Sequence, residues 1–220
     1  MDMWLRRIIA TVLLCTGLTV IPGVALKAAE DLSLVVVGDS LSAGYGLPAE
    51  DAFPAKLQAA LRDKGHNVRV ENAGVSGDTT AGGRARLGWA LGDNPGGVIL
   101  ELGANDALRG LDPESAYENL AAMLKLLNDK NIPTLLAGMK APPNMGEDYA
   151  REFEAMYRRL ADVFDVVFYP FFLDGVAGTP SLNQDDGMHP TARGVDVIVE
   201  RIMPKVEVLL ERILQAKGRG

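Results

Sequence analysis

Apolar runs alternate with segments of helical spacing along most of this chain. Residues 34–37 form an apolar run rich in β-branched residues, which is typical of a strand buried on both faces of a parallel sheet, and we place the first strand at Leu32–Gly38. Four other runs predict further strands. They cover residues 67–71, 97–102, 132–139 and 166–169.

Helical spacing fills the segments between these strands. The predicted helices cover residues 53–64, 79–91, 112–129, 147–164 and 191–214. We expect Pro204 to kink or split the last helix after Met203. Strands separated by helices of this length favour a parallel sheet with helices on both faces. Because no linker or repeat interrupts the pattern, we expect one α/β domain over residues 30–220.

The amino terminus has a different pattern, because Arg6 and Arg7 precede an apolar segment that extends to Leu26 and ends among small residues. This arrangement is typical of a secretory signal peptide, which we place at residues 1–29. An uncleaved membrane anchor is the alternative, since the segment approaches spanning length. Helix breakers near its end favour cleavage. We therefore expect a periplasmic or secreted protein without stable membrane insertion.

Cysteine content and charge narrow the class of partner. The only cysteine, Cys15, lies in the predicted signal peptide, so the mature chain would have neither disulfides nor thiol chemistry. The formal net charge is -7. This charge argues against nucleic acid as a partner, because phosphate binding needs clustered Lys and Arg. The sequence does not specify an oligomeric state.

Small polar residues, Gly38-Asp39-Ser40, turn the chain at the end of the first predicted strand. In open α/β sheets, ligands bind at the carboxyl ends of the strands. We therefore interpret Ser40 as a nucleophile. Asp186 and His189 are three residues apart, so a tight turn can bring their side chains together. Asp186 would then orient His189, which removes the Ser40 proton.

Two other interpretations of Asp186 and His189 are open at this level. Asp-x-x-His also occurs where an aspartate caps a helix and the histidine lies on the surface. A metal site is the other interpretation, although one histidine without cysteine lacks the usual ligands of zinc. The position of Ser40 at the end of the first strand favours the catalytic interpretation.

Acyl transfer at a serine also needs hydrogen-bond donors for the oxyanion that forms on the substrate. Loops after the second and third predicted strands supply candidates. Gly77 has no Cβ to obstruct approach to its backbone N–H, and Asn105 carries a side-chain amide. Either loop alone is ordinary turn chemistry. Together they place donors at the sheet edge that carries Ser40.

Four segments resemble the motif blocks of the SGNH (GDSL) hydrolases, in the order of that family. They are Gly38-Asp39-Ser40-Leu41-Ser42, Ser76-Gly77-Asp78-Thr79, Gly103-Ala104-Asn105-Asp106 and Asp186-Gly187-Met188-His189-Pro190. Within the family, the sequence is most similar to the branch of periplasmic multifunctional thioesterase, lysophospholipase and protease enzymes and related arylesterases. The resemblance implies a flavodoxin-like three-layer α/β/α sandwich with a five-stranded parallel sheet.

The resemblance also implies the roles of individual residues. Ser40 would be the nucleophile, with Asp186 and His189 as its partners. The oxyanion hole would comprise the backbone N–H groups of Ser40 and Gly77 and the side chain of Asn105. The expected reaction is hydrolysis of acyl or aryl esters, and of thioesters, through an acyl-serine intermediate. The family mechanism requires no cofactor and no metal.

The sequence defines the substrate less sharply. Four apolar residues lie in loops after the third and fourth strands, where they would suit an acyl or aryl chain, although simple loop packing explains them equally well. They are Leu108, Leu111, Pro142 and Met145. We expect a small-molecule or lipid ester or thioester as substrate. The alternatives are a carbohydrate O-acetylesterase and a non-catalytic flavodoxin-like binding module.

Overall fold

Five parallel strands form the central sheet of the computed structural model, which describes residues 32–218. The strands are β1 (Leu32–Gly38), β2 (Val68–Gly74), β3 (Gly97–Glu101), β4 (Thr134–Ala137) and β5 (Val167–Tyr169). Their order in the sheet is β2-β1-β3-β4-β5. The predicted fold class is confirmed, and the predicted signal peptide lies outside the described residues.

Seven α-helices lie within residues 32–218. They are α1 (Ser40–Ala43), α2 (Phe53–Asp63), α3 (Thr80–Ala90), α4 (Ala104–Leu108), α5 (Pro113–Asp129), α6 (Glu147–Val163) and α7 (Ala192–Lys217). The five long helices match the predicted segments to within a few residues at each end. The sequence pattern does not predict α1 and α4, because four or five residues are too few to show a helical period.

Helices cover both faces of the sheet. α2 and α7 pack against each other on one face, and α5 packs between α3 and α6 on the other. The central strands between these layers are fully buried at Leu34, Val36, Ile99 and Leu135. This burial explains their continuous apolar sequences. In the part of the chain from 32 to 218, no helix is both long and apolar enough to cross a bilayer.

α7 continues through Pro204 and is not split after Met203. Proline removes one backbone hydrogen bond, to the carbonyl four residues earlier, at Glu200. Pro204 and Glu200 both lie on the exposed side of the helix, where water can satisfy that carbonyl. On the opposite side, Ile202 and Val206 are fully buried. Packing on this buried face keeps the two halves in one helix.

The carboxyl ends of β1, β2 and β3 lie side by side. Gly38 of β1 is paired with Gly74 of β2 on one side and with Glu101 of β3 on the other. β2 extends beyond the predicted segment because pairing with β1 continues to Gly74. A Cβ atom at Gly74 would collide with the backbone of Ala43 in α1, so glycine allows the close approach. The three loops that follow these strands therefore leave the same edge of the sheet.

Candidate active site

Ser40 is the first residue of α1 and lies two positions after Gly38, the last residue of β1. Asp39 caps this short helix, because its Oδ1 atom accepts a hydrogen bond of 3.0 Å from the backbone N–H of Leu41. The helix ends one turn later at Gly44, which has a left-handed backbone conformation. The strand, the cap and the short helix together hold the Ser40 side chain at the edge of the sheet.

His189 lies within hydrogen-bond distance of Ser40, as the catalytic interpretation predicts. The His189 Nε2 and Ser40 Oγ atoms are 2.9 Å apart, and His189 Nδ1 lies 2.6 Å from Asp186 Oδ2. The second Asp186 oxygen accepts the backbone N–H groups of Met188 and His189 at 2.9 and 3.0 Å. The ring of Tyr45 lies 4.5 Å from the His189 ring, centre to centre.

The hydrogen bonds to Asp186 determine its charge. Those from the backbone and side chain of His189, followed by the one from the Met188 backbone, lower the pKa of Asp186 to about 2. Asp186 is therefore a carboxylate at neutral pH. A carboxylate at Nδ1 favours the tautomer with the proton on that nitrogen, which leaves Nε2 free to accept the Ser40 proton.

Ser40, Gly77 and Asn105 line one cleft. Gly77 has a φ of 85°, in the left-handed region that favours glycine. Its carbonyl accepts a 2.9 Å hydrogen bond from Arg109 Nη2. Asn105 Nδ2 donates to the backbone carbonyl of Asp78 at 2.9 Å, and it lies 3.3 Å from Asp39 Oδ2. The structure thus brings all three predicted oxyanion-hole residues to the cleft that contains His189.

The cleft has a volume of about 670 Å³ and is lined mainly by apolar side chains. Of the four predicted substrate-binding residues, Leu108 and Pro142 line it, whereas Leu111 and Met145 do not. The methyl group of Met145 packs near Gly110 instead. Pro143, next to Pro142 in the same loop, also lines the cleft. Lining residues that the sequence did not identify include Met139, Phe171, Leu173 and Ala177.

A buried carboxyl pair, Asp39 and Glu101, lies beneath Ser40, and no role for Glu101 was predicted from the sequence. Glu101 is fully buried, and its Oε2 atom accepts hydrogen bonds from Ser42 Oγ at 2.7 Å and from the Asp39 backbone N–H at 3.4 Å. Burial raises the pKa of Asp39 to about 6 and raises the pKa of Glu101 well above its ordinary value. A charged residue that ends an otherwise apolar strand is the sequence signal for this pair.

The described part of the chain contains no set of side chains that could bind a metal ion. Within residues 32–218, no three His, Cys, Asp or Glu side chains lie close enough together to hold an ion. Asp39 and Glu101 form a pair without a third ligand. The oxygens of Asp186 already accept hydrogen bonds from Met188 and His189.

Comparison with known proteins agrees with this arrangement. A family model described as the GDSL-like Lipase/Acylhydrolase family matches residues 36–197, a segment that contains Ser40, Gly77, Asn105, Asp186 and His189. Esterase TesA from Pseudomonas aeruginosa is 41% identical over 179 residues, covering 81% of this chain and 89% of that protein. Thioesterase 1/protease 1/lysophospholipase L1 from Escherichia coli is 38% identical over 185 residues, covering 84% of this chain and 88% of that protein.

A solved structure extends the similarity to three dimensions. The crystal structure of AlinE4, an SGNH-hydrolase family esterase, matches with a TM-score of 0.70 at 49% sequence identity. The match covers 82% of this chain and 97% of the AlinE4 chain. The resemblance inferred from the four motifs is confirmed. The chain belongs to the GDSL-like Lipase/Acylhydrolase family of ester-cleaving enzymes.

Proposed function

We propose that this hydrolase cleaves carboxylic esters and thioesters through an acyl-serine intermediate at Ser40. The observation that carries the proposal is the chain of contacts from Ser40 Oγ to His189 Nε2, at 2.9 Å, and from His189 Nδ1 to Asp186, at 2.6 Å. A nucleophile, a base and an orienting carboxylate within hydrogen-bond distance are what serine-based acyl transfer requires.

The reaction has two steps. In the first, Ser40 Oγ bonds to the substrate carbonyl carbon while its proton passes to His189 Nε2, and the bond to the alcohol or thiol then breaks. His189 returns the proton to the leaving group. In the second, water attacks the acyl-serine, and His189 again takes a proton and returns it to Ser40. Asp186 remains ionised and stabilises the imidazolium that forms in each step.

The negative oxygen of each tetrahedral intermediate would be bound by Ser40 N–H, Gly77 N–H and Asn105 Nδ2. Before substrate binds, the Asn105 amide is held by two acceptors, the Asp78 carbonyl at 2.9 Å and Asp39 Oδ2 at 3.3 Å. We expect the longer contact to be exchanged for the oxyanion, while the shorter contact keeps the amide oriented. Such fixed donors strengthen their hydrogen bonds as charge develops.

The lining of the cleft supports acyl or aryl groups as substrates. Leu108, Pro142, Phe171 and Leu173 provide apolar contacts beside Ser40. Relatives bear the names esterase, thioesterase and lysophospholipase, which agree with a broad range of acyl substrates. A carbohydrate O-acetylesterase would need a small polar pocket, whereas this cleft has a volume of about 670 Å³ and a mainly apolar lining. Apolar pockets distinguish chain lengths only weakly, by about 1–3 kcal/mol per methylene, so we expect broad specificity.

Hydrolysis of a series of p-nitrophenyl esters, from acetate to palmitate, tests this proposal. Wild-type protein should cleave esters across the series, and Ser40→Ala should be inactive with an unchanged fold by circular dichroism. Ser181→Ala, which removes a serine hydroxyl outside the cleft, is the matched control and should keep full activity. Turnover by Ser40→Ala would refute the acyl-serine mechanism. Activity restricted to acetate would favour the O-acetylesterase alternative.

We also propose that the enzyme acts in the periplasm or outside the cell. The basic, apolar and small-residue regions of residues 1–29 support this assignment. A fusion of these residues to a reporter that is active only after export should give active reporter. A fusion that keeps the reporter inactive would contradict the assignment.

A further inference from the structure

The guanidinium group of Arg86 connects three segments of the chain beside the active site. Arg86 lies in α3, and only 17% of its side-chain surface is exposed. Its Nε atom donates to the carboxylate of Asp78, Nη1 donates to the carbonyl of Ala73 at 2.7 Å, and Nη2 donates to the carbonyl of Gly38 at 2.9 Å. Arg86 does not line the cleft.

Two of these contacts hold the ends of strands that precede active-site residues. Gly38 ends β1, two positions before Ser40, and its carbonyl also accepts the N–H of Val75 at 3.0 Å. Ala73 is the penultimate residue of β2, just before the loop that carries Gly77. Arg86 therefore fixes the end of the nucleophile strand relative to the start of the Gly77 loop.

The third contact, from Arg86 to Asp78, connects Arg86 to Asn105, the remaining oxyanion-hole residue. Asp78 directly follows Gly77, and its backbone carbonyl accepts the Asn105 amide at 2.9 Å. The carboxylate of the same residue is held by Arg86. A shift of Asp78 would therefore move the Gly77 N–H and the Asn105 amide together.

We propose that Arg86 is a positioning residue that sets the geometry of the oxyanion hole without touching the substrate. The proposal rests on the oxyanion hole assigned above to Ser40, Gly77 and Asn105. A planar guanidinium suits this role, because its N–H donors diverge in one plane and can reach three separate acceptors. Lysine carries the charge on a single atom and cannot hold the same three acceptors in this arrangement.

Kinetics of Arg86→Gln and Arg86→Lys on a soluble short-chain p-nitrophenyl ester test the proposal. We expect kcat to fall by about 10- to 100-fold in both variants with KM within about twofold, because displaced donors weaken binding of the transition state more than binding of the substrate. Arg84→Gln is the matched control. It removes an exposed arginine of the same helix, whose guanidinium bonds Asn119, and should keep wild-type kinetics.

A double-mutant cycle with Asn105→Ala separates positioning from a general loss of structure. If Arg86 acts through the oxyanion hole, Arg86→Gln combined with Asn105→Ala should be much less impaired than the product of the two single fold-losses. Multiplicative losses, a change confined to KM, or wild-type kcat in both Arg86 variants would overturn the proposal. Should Arg86→Gln fail to fold, the same cycle with Arg86→Lys decides between the outcomes. Wild-type kcat in Asn105→Ala alone would refute the oxyanion hole itself, and the role of Arg86 with it.

Discussion

Two carboxylic acids near Ser40, Asp186 and Glu101, occupy opposite environments. Asp186 lies in a turn with its side chain one-third exposed, and local hydrogen bonds lower its pKa to about 2. Glu101 is fully buried at the end of β3, where burial raises its pKa well above the ordinary value. One acid is therefore held charged beside His189, and the other favours its neutral form beneath α1.

This difference indicates that the two acids have different roles: Asp186 contacts the groups proposed to react, whereas Glu101 supports the turn that holds Ser40. In the proposed mechanism Asp186 must be charged, because a carboxylate orients His189 and stabilises the imidazolium. Glu101 is fully buried and does not line the cleft. It accepts hydrogen bonds from Ser42 and Asp39, which flank Ser40, and so links β3 to the turn that carries Ser40. Mutations in the two regions should therefore affect different properties: activity in the turn, and stability in the core.

The largest expected effect is on activity, from the turn. His189→Ala should lower kcat by about 1,000-fold or more, since it removes the proposed base and acid of both steps. Its free energy of unfolding should stay within about 0.5 kcal/mol of wild type, as for most substitutions outside the core. Ester hydrolysis assays and urea denaturation measure the two quantities. The sequence has one other histidine, His66, which does not line the cleft, so His66→Ala should change neither quantity and serves as the control. A loss of stability comparable to that of a core variant would show that the turn also supports the fold.

A core variant should show the reverse pattern. Glu101→Ala leaves a cavity and deprives Ser42 of its acceptor, so we expect a loss of about 2–4 kcal/mol in unfolding free energy. Glu101→Gln keeps an acceptor oxygen and the neutral shape, and should retain kcat within about threefold. Urea denaturation of both variants and an ester hydrolysis assay of Glu101→Gln check these expectations, with exposed Glu118→Ala as a control expected to lie within about 0.5 kcal/mol of wild type in unfolding free energy. Inactive but fully stable Glu101→Gln would show that the charge of Glu101 takes part in catalysis.

The same two regions show what a sequence reveals about a site. Asp186 and His189 are three residues apart, and Ser40 follows an unbroken apolar strand, so local patterns indicate all three. Gly77 and Asn105 follow from the rule that the loops after parallel strands meet at one edge. Residues whose role depends on a single turn or strand end were therefore predictable.

Contacts set by the register of the sheet were not predictable. Glu101 reaches Ser42, 59 residues away, only because β1 pairs with β3 so that Gly38 lies opposite Glu101. Arg86 gives no signal in the sequence, since one arginine in a helix is usually a surface residue. Phe171 reaches the cleft from the loop after β5, whose path no local pattern defines. The main elements of the fold followed from hydrophobic spacing, whereas these long-range contacts required the structure.

The smallest expected effects are on the pH dependence of stability, where the two acids should act with opposite signs. Folded Glu101 holds its proton above the pH at which an unfolded glutamate, with a pKa of 4.5, loses it. The free energy of unfolding should therefore fall as pH rises above 4.5, and Asp39 adds a fall of the same sign between 3.8 and about 6. Asp186 contributes stability above pH 3.8 that is lost as pH falls towards 2.

Urea denaturation from about pH 3 to about pH 9 distinguishes these contributions. Glu101→Gln should become more stable relative to wild type as pH rises, because it has no buried proton to lose. Asp186→Asn should reduce only the loss of stability at acid pH, and by a smaller amount, because solvent screens a partly exposed carboxylate. Its effect on kcat at neutral pH should nevertheless be large, since the proposed role of Asp186 is to orient His189. If the unfolding free energy of Glu101→Gln instead varied with pH in parallel with that of wild type, Glu101 would ionise as easily in the folded state as in the unfolded one. The proposed contrast between Asp186 and Glu101 would then be wrong.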